Sequence, residues 1–138
     1  MYNGEALSYS VSERPNAKAI NNALKKAIQV TNDCLYRRTF HSDQGWAYQM
    51  KKYRNTLEEE RIFQSMSRKG TCLDNSPIEN FFGVMKQEMY YGKTYRSFEE
   101  LKLRIDEYIY YYNNKRIKSK LRYMSPVQLR LSNDKSVA

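Results

Sequence analysis

Apolar and polar positions along the chain repeat first with a period of two and then at helical spacing. Leu7, Tyr9 and Val11 alternate with Ser8 and Ser10, the pattern of a strand covered on one face. Just before them, Tyr2-Asn3-Gly4-Glu5 predicts a type I′ hairpin turn, because Asn and Gly tolerate the positive φ that both central positions need. A hairpin has a strand on each side, yet only Met1 and Tyr2 precede this turn, so the pattern predicts a further strand upstream. A frayed terminal turn is the alternative. Ile20, Ala23, Leu24, Ala27 and Ile28 follow Pro15 at helical spacing and predict an amphipathic helix over 15–30, ended by Asn32-Asp33. Leu35 to His41 reads as a strand through Tyr36, Thr39 and Phe40. Arg37-Arg38 is unusually charged for a buried parallel strand and points to an exposed edge or to local decay.

The second half is mostly helical. Trp46 to about Glu60 places Met50, Tyr53 and Leu57 on one face, and Ile62 to Met66 is a short strand leading into the basic loop Ser67-Arg68-Lys69-Gly70-Thr71. Ser76-Pro77-Ile78-Glu79 has the form of a capping box with Pro at the first helical position, and its helix continues through Phe82, Met85 and Met89 to about Tyr91. Ser97-Phe98-Glu99-Glu100 is a second such box. It opens a helix that turns Leu101, Ile105, Tyr108, Ile109 and Tyr112 inward and ends at Asn113-Asn114. Ser125-Pro126-Val127-Gln128 starts a last short helix, and 132–138 is expected to fray. The order strand, helix, strand, helix, strand, helix, helix is an α/β pattern in a single domain over 1–131.

Composition narrows the partners. With 24 Lys+Arg against 15 Asp+Glu the 138-residue chain carries a net charge of +9, which suits a polyanion, although a merely soluble basic protein would look the same. Thirteen Tyr and five Phe offer either core or stacking surface. Cys34 and Cys72 are far apart and form no C-x-x-C pair, which suits a reducing compartment rather than a zinc site or a disulfide framework. No apolar run reaches membrane-spanning length and no signal peptide is visible, so the chain reads as cytoplasmic. His41, the one histidine, reads as packed or solvated rather than as a metal ligand.

Chemistry centres on two carboxylates. Asp43 follows a strand end in the turn His41-Ser42-Asp43-Gln44-Gly45-Trp46, and Glu79 stands in the first turn of its helix. Hard cations take oxygen ligands, and phosphoryl-transfer sites hold two metals about 4 Å apart between carboxylates. For Glu79 the plain alternative is to fold back on the Ser76 amide as part of the capping box. A second feature is charge density: 113–131 holds Lys115, Arg116, Lys118, Lys120 and Arg122 with no acid, interleaved with Ile117, Leu121 and Tyr123. Such a segment suits phosphate contact without sequence preference, or simply a solubilising tail. Arg68 and Lys69 in the basic loop, and Lys86 two helical turns beyond Glu79, are further candidates for phosphate contact, with solvated charges as the alternative.

These motifs carry a resemblance. His-Ser-Asp-Gln-Gly-Trp, then Gln64 to Gly70, then Leu73-Asp74-Asn75-Ser76-Pro77-Ile78-Glu79-Asn80-Phe81-Phe82, then Tyr111 to Arg116 and Met124-Ser125-Pro126, resemble the catalytic core of bacterial insertion-sequence transposases. That family is related to retroviral integrases and shares a ribonuclease-H-like fold. The resemblance implies a sheet of five strands in the order 3-2-1-4-5, of which this chain holds strands 3, 4 and 5. The integrase core is thus expected to be incomplete, with the first two strands absent and the Leu7 strand without a direct neighbour. It further implies an Asp, Asp, Glu triad on two Mg²⁺ (or Mn²⁺) ions, with Asp43 matching the second Asp and Glu79 the Glu. The first Asp belongs to the absent strands. Three functions are compatible with this pattern. One is a part of a transposase that cuts and joins DNA by two-metal phosphoryl transfer, inactive alone. The second is a non-catalytic DNA-binding remnant. The third is a partner, in a homo-oligomer or with a fragment or full-length transposase that supplies the missing strands.

Overall fold

Asn16, one residue past Pro15, opens the first helix. Its backbone is extended and its side-chain oxygen accepts a hydrogen bond from Ala19 N at 2.8 Å, which satisfies one of the free amides at the start of α1, Ala17–Val30. The computed structural model describes residues 3–136. Met1 and Tyr2, the outer arm of the predicted hairpin, lie outside the described residues, as do Val137 and Ala138. The chain divides into two units, Leu7–Ile78 and Met1–Ala6 with Glu79–Ala138, and the division falls inside a helix between Ile78 and Glu79.

In the unit Leu7–Ile78, α1 is followed by β1 (Thr39–Ser42), a 3₁₀ turn (Trp46–Gln49), α2 (Lys51–Glu59) and β2 (Phe63–Met66). β1 and β2 pair in parallel with Thr39 opposite Phe63 and Ser42 opposite Met66, the neighbours expected of strands 4 and 5. Leu24 from α1 and Tyr53 and Leu57 from α2 form the core with Ile62, and Ile20, Ile28, Phe40 and Tyr48 pack against them. Leu57 is only 1% exposed. The expected helix over 46–60 is broken at Met50, whose extended backbone (φ −62°, ψ 138°) separates the 3₁₀ turn from α2. α2 ends with Arg61 at φ +55°, a left-handed cap that lets Ile62 N reach back to Leu57 O at 2.8 Å.

Two strand expectations are corrected. The run Leu7 to Val11 forms no ladder; it lies along α1, with Ser8 Oγ donating to Ala23 O at 2.9 Å and Ser10 Oγ to Ala19 O at 2.6 Å. Alternation makes a strand only where a second strand supplies ladder bonds, and none lies beside this segment among the described residues. β1 begins at Thr39 rather than Leu35, and Leu35 is 94% exposed. This accounts for the two arginines, which precede the strand instead of lying in it. The Arg38 guanidinium donates to Ile28 O (3.2 Å) near the end of α1 and to Glu60 O (3.1 Å) at the end of α2. A cation there neutralises the negative ends of two helices. Arg37 stacks on the Phe63 ring at 5.0 Å.

The other unit is built on α4 (Phe98–Asn114). A 3₁₀ turn (Cys72–Asn75) at the end of the unit Leu7–Ile78 leads into α3 (Ser76–Met85), which crosses the division and runs on as a π-helical turn (Lys86–Tyr90); α5 is Pro126–Ser136. Met89, Tyr108 and Tyr112 are buried together, with Phe81, Met85, Tyr95, Leu101 and Ile105 against them. Phe81 meets Tyr112 edge to face at 4.8 Å. The Ser97 cap forms as predicted, accepting from Glu100 N at 3.1 Å, while the Glu100 carboxylate accepts from Arg96 N at 2.8 Å. α5 continues past Leu131 to Ser136, beyond the point where fraying was expected. Its start is a reciprocal box: Ser125 Oγ accepts from Gln128 N (3.3 Å) and Ser125 N donates to the Gln128 side-chain oxygen (2.9 Å). At the predicted hairpin turn Gly4 takes φ +69° but Asn3 does not take positive φ, so no type I′ turn forms. Asn3 instead donates to Pro126 O at 3.0 Å, and the Asn113 side chain bonds both backbone groups of Ala6.

Candidate active site and nucleic-acid interface

Asp43 stands one residue beyond β1, exposed, in a turn of its own making. Its Oδ1 accepts from Gly45 N at 2.7 Å, and Ser42 Oγ donates to its carbonyl at 2.9 Å. Gly45 is needed for space rather than for φ, since a Cβ there would lie 2.8 Å from Asp43 Oδ1. Gln44 extends the same turn to the end of β2, donating to Ser67 O at 3.1 Å, and Gln64 donates to Tyr48 O at 2.8 Å. Burial, and then the Asp43 charge, push the Tyr48 hydroxyl pKa up. The motif His-Ser-Asp-Gln-Gly-Trp is thus a device that fixes one carboxylate at a strand end. His41 has the packed role expected of it, with Nδ1 against Ser65 Oγ across the strand pair at 3.0 Å and Nε2 buried.

Glu79 is exposed in the first turn of α3 and makes no hydrogen bond or ion pair among the described residues. The predicted capping box at Ser76 does not form. Ser76 is already helical (φ −54°, ψ −36°) because the 3₁₀ turn before it starts the winding earlier, so its side chain has no cap position to occupy. The plain structural role for Glu79 is thereby removed. Asp43 and Glu79 lie in different units, one after β1 and one on α3. As oxygen donors carrying no cationic partner they suit a hard divalent ion, but no three His, Cys, Asp or Glu side chains gather into a possible metal site among the described residues.

The basic candidates divide into free and engaged side chains. Lys69, Lys86, Lys115, Lys120 and Arg122 are exposed and unpaired among the described residues. Arg68 is held by Asp74, through its Nε at 3.2 Å and its backbone N at 3.0 Å, and these bonds keep the Asp74 carboxyl below the usual carboxylate range. Arg116 forks onto Glu88 at 2.6 to 3.0 Å, and Tyr108 donates to the same carboxylate at 2.7 Å. Lys118 lies over the Tyr112 ring at 4.1 Å and bonds its hydroxyl. Glu88 as the anchor of Arg116 is not legible in the sequence: the two are 28 residues apart, and no spacing rule joins a π-helical turn to the residue after another helix.

Two models described as integrase core domain match the chain, one over residues 1–72 and one over residues 79–133. A transposase-like protein of Haemophilus influenzae is 47% identical over 130 residues, covering 94% of this chain and 59% of that protein. The putative transposase InsK for insertion sequence element IS150 of Escherichia coli is 45% identical over 130 residues, covering 94% of this chain and 46% of that protein. The chain therefore spans about half the length of these relatives. Among solved structures, a chain of the simian T-cell lymphotropic virus intasome aligns over 86% of this chain and 41% of its own length with a TM-score of 0.66 at 14% identity. The catalytic core domain of BIV integrase aligns over 89% of this chain and 77% of its own length at 0.59 and 16% identity. The fold is that of the ribonuclease-H-like integrase cores, with two strands of the sheet present among the described residues. The chain belongs to the integrase core domain family, with insertion-sequence transposases among its relatives.

Proposed function

We propose that the chain is part of a transposase catalytic core that binds DNA and contributes two of the carboxylates for DNA cutting and joining. The observation that carries this is the pair Asp43 and Glu79: both exposed, neither paired with a cation, each at the motif position that the family resemblance assigns to a metal ligand. Asp43 and Glu79 would hold the Mg²⁺ or Mn²⁺, with a third carboxylate supplied by a segment outside these 138 residues. Divalent ions there supply Lewis acidity and offset the negative charge that develops on phosphate oxygens. The protein's own part is positional. Gly45 N and the Gln44 bridge to Ser67 hold the Asp43 side chain in one orientation before DNA arrives. Lys69, Lys86, Lys115, Lys120 and Arg122 meet phosphate, while Arg68, Arg116 and Lys118 support that surface from internal pairs.

A second reading is a DNA-binding remnant without catalysis, which keeps the exposed cations Lys69, Lys86, Lys115, Lys120 and Arg122 as its contact surface. One experiment separates them. The chain alone, with Mg²⁺ or Mn²⁺ and DNA carrying the element's ends, is expected to give no strand joining. Adding the upstream part of a full-length relative, fused or as a separate fragment, is expected to produce joining, and Asp43→Asn or Glu79→Gln to abolish it. Joining by the chain alone would overturn the need for a third carboxylate. No joining after addition would favour the remnant.

A further inference from the structure

The basic segment ends in a loop with an uncommon backbone. Arg122 (φ +56°, ψ +37°) and Tyr123 (φ +58°) are consecutive non-glycine residues in the left-handed region, where a side chain is disfavoured. The loop is nevertheless tightly closed: Lys118 N donates to Met124 O at 3.2 Å and Tyr123 N to Lys118 O at 3.0 Å. Buried Leu121 lies inside it and fully buried Ser125 follows it, while the Lys118 ammonium is tied to Tyr112. Strain held by that many constraints points to something the loop has to present. What it presents is Tyr123, 72% exposed and without hydrogen-bond or ring partner among the described residues, beside the unpaired cations Lys120 and Arg122. The closed backbone holds the base of the side chain in place and leaves most of the ring open to solvent.

We propose that Tyr123 is a stacking contact for unpaired DNA bases, with Lys120 and Arg122 on the flanking phosphates. In a duplex the base faces are covered by their neighbours, so an exposed ring gains most where bases are unpaired. Cations on the same loop hold the backbone in register with it. This rests on the DNA-acting reading above and adds the form of the DNA: an end or junction with bases out of the stack.

The test is fluorescence anisotropy of the full chain with a labelled blunt duplex and with the same duplex carrying an unpaired thymine overhang. The overhang DNA is expected to bind about tenfold more tightly. Tyr123→Ala should remove that difference and Tyr123→Phe should keep it. Tyr123→Gly should also remove it without lowering the melting temperature, because glycine adopts the left-handed backbone without strain; this separates loss of the contact from loss of the fold. The binding assay requires no strand joining, so a failed joining assay and a failed stacking contact are read independently. Equal affinity for the two DNAs, or a preference that survives Tyr123→Ala, would overturn the proposal. Binding to neither would also overturn it and leave the ring to a protein partner.

Discussion

Glu88 shows how much a single side chain can hold. Its carboxylate accepts both from the Arg116 fork and from Tyr108, and these partners, Arg116 first, keep its pKa below the usual carboxylate value against the opposing effect of burial. A depressed carboxylate stabilises the fold in full above its unfolded pKa of about 4.3, and that stability is lost as pH falls through the folded value. Glu88→Gln is therefore expected to cost about 1 kcal/mol near neutral pH, the lower part of the range for charge-assisted bonds because the pair is partly exposed. The difference in urea midpoint between the two proteins should shrink as pH drops below about 4. A difference that stayed constant across that window would remove Glu88 from the account. Tyr108 is also affected, its hydroxyl pushed up by burial and by the hydrogen bond to Glu88. Residues such as Arg38 and Arg116 look like surface charge in the sequence, and each turns out to join two elements.

At the scale of elements, the three sequences Ser76 to Glu79, Ser97 to Glu100 and Ser125 to Gln128 share one form and behave differently. Ser97 and Ser125 cap α4 and α5, whereas Ser76 does not cap α3, because the 3₁₀ turn over Cys72–Asn75 has already begun the winding. The expected outcome is that Ser125→Ala costs about 1 kcal/mol, since it removes a cap and leaves the Gln128 amide without its acceptor, whereas Ser76→Ala stays within about 0.5 kcal/mol. Urea unfolding of the two variants checks this, and a Ser76→Ala loss as large as that at Ser125 would show that the cap is used after all. The same comparison separates the roles of Glu100 and Glu79. Glu100 is spent on a backbone amide, while Glu79 is left free for another partner.

Over the whole chain the net charge of +9 favours contact with polyanions, and the fold decides which cations are exposed for it. Each phosphate contact contributes about 0.9 to the slope of log affinity against log salt on duplex DNA. Replacing Lys115, Lys120 and Arg122 with Gln should flatten that slope by up to about 3, whereas Arg116→Gln should change stability more than slope. Equal effects on slope would mean that the ion pair to Glu88 opens when DNA binds. Among the described residues no helix is long and apolar enough to cross a membrane.

What the sequence determined by itself was local: the helices α1 and α4, the cap at Ser97, the helix start at Ser125, the strands around Phe40 and Gln64, and the turn that carries Asp43. Each of these depends on periodicity or on a bond between residues a few positions apart, which a linear pattern records. Family motifs added the fold and the two carboxylates. Tertiary structure alone decided whether an alternating run becomes a strand. Leu7 to Val11 has the pattern but, among the described residues, no neighbour to complete its ladder, and its serines bond α1 instead. It also decided which cations are available, because Glu88 and Arg116 meet across 28 residues and the charge count cannot distinguish a paired guanidinium from a free one. And it decided where strain is held: nothing in Leu121-Arg122-Tyr123-Met124 announces two left-handed residues, which are set by closure of the chain between Lys118 and Met124.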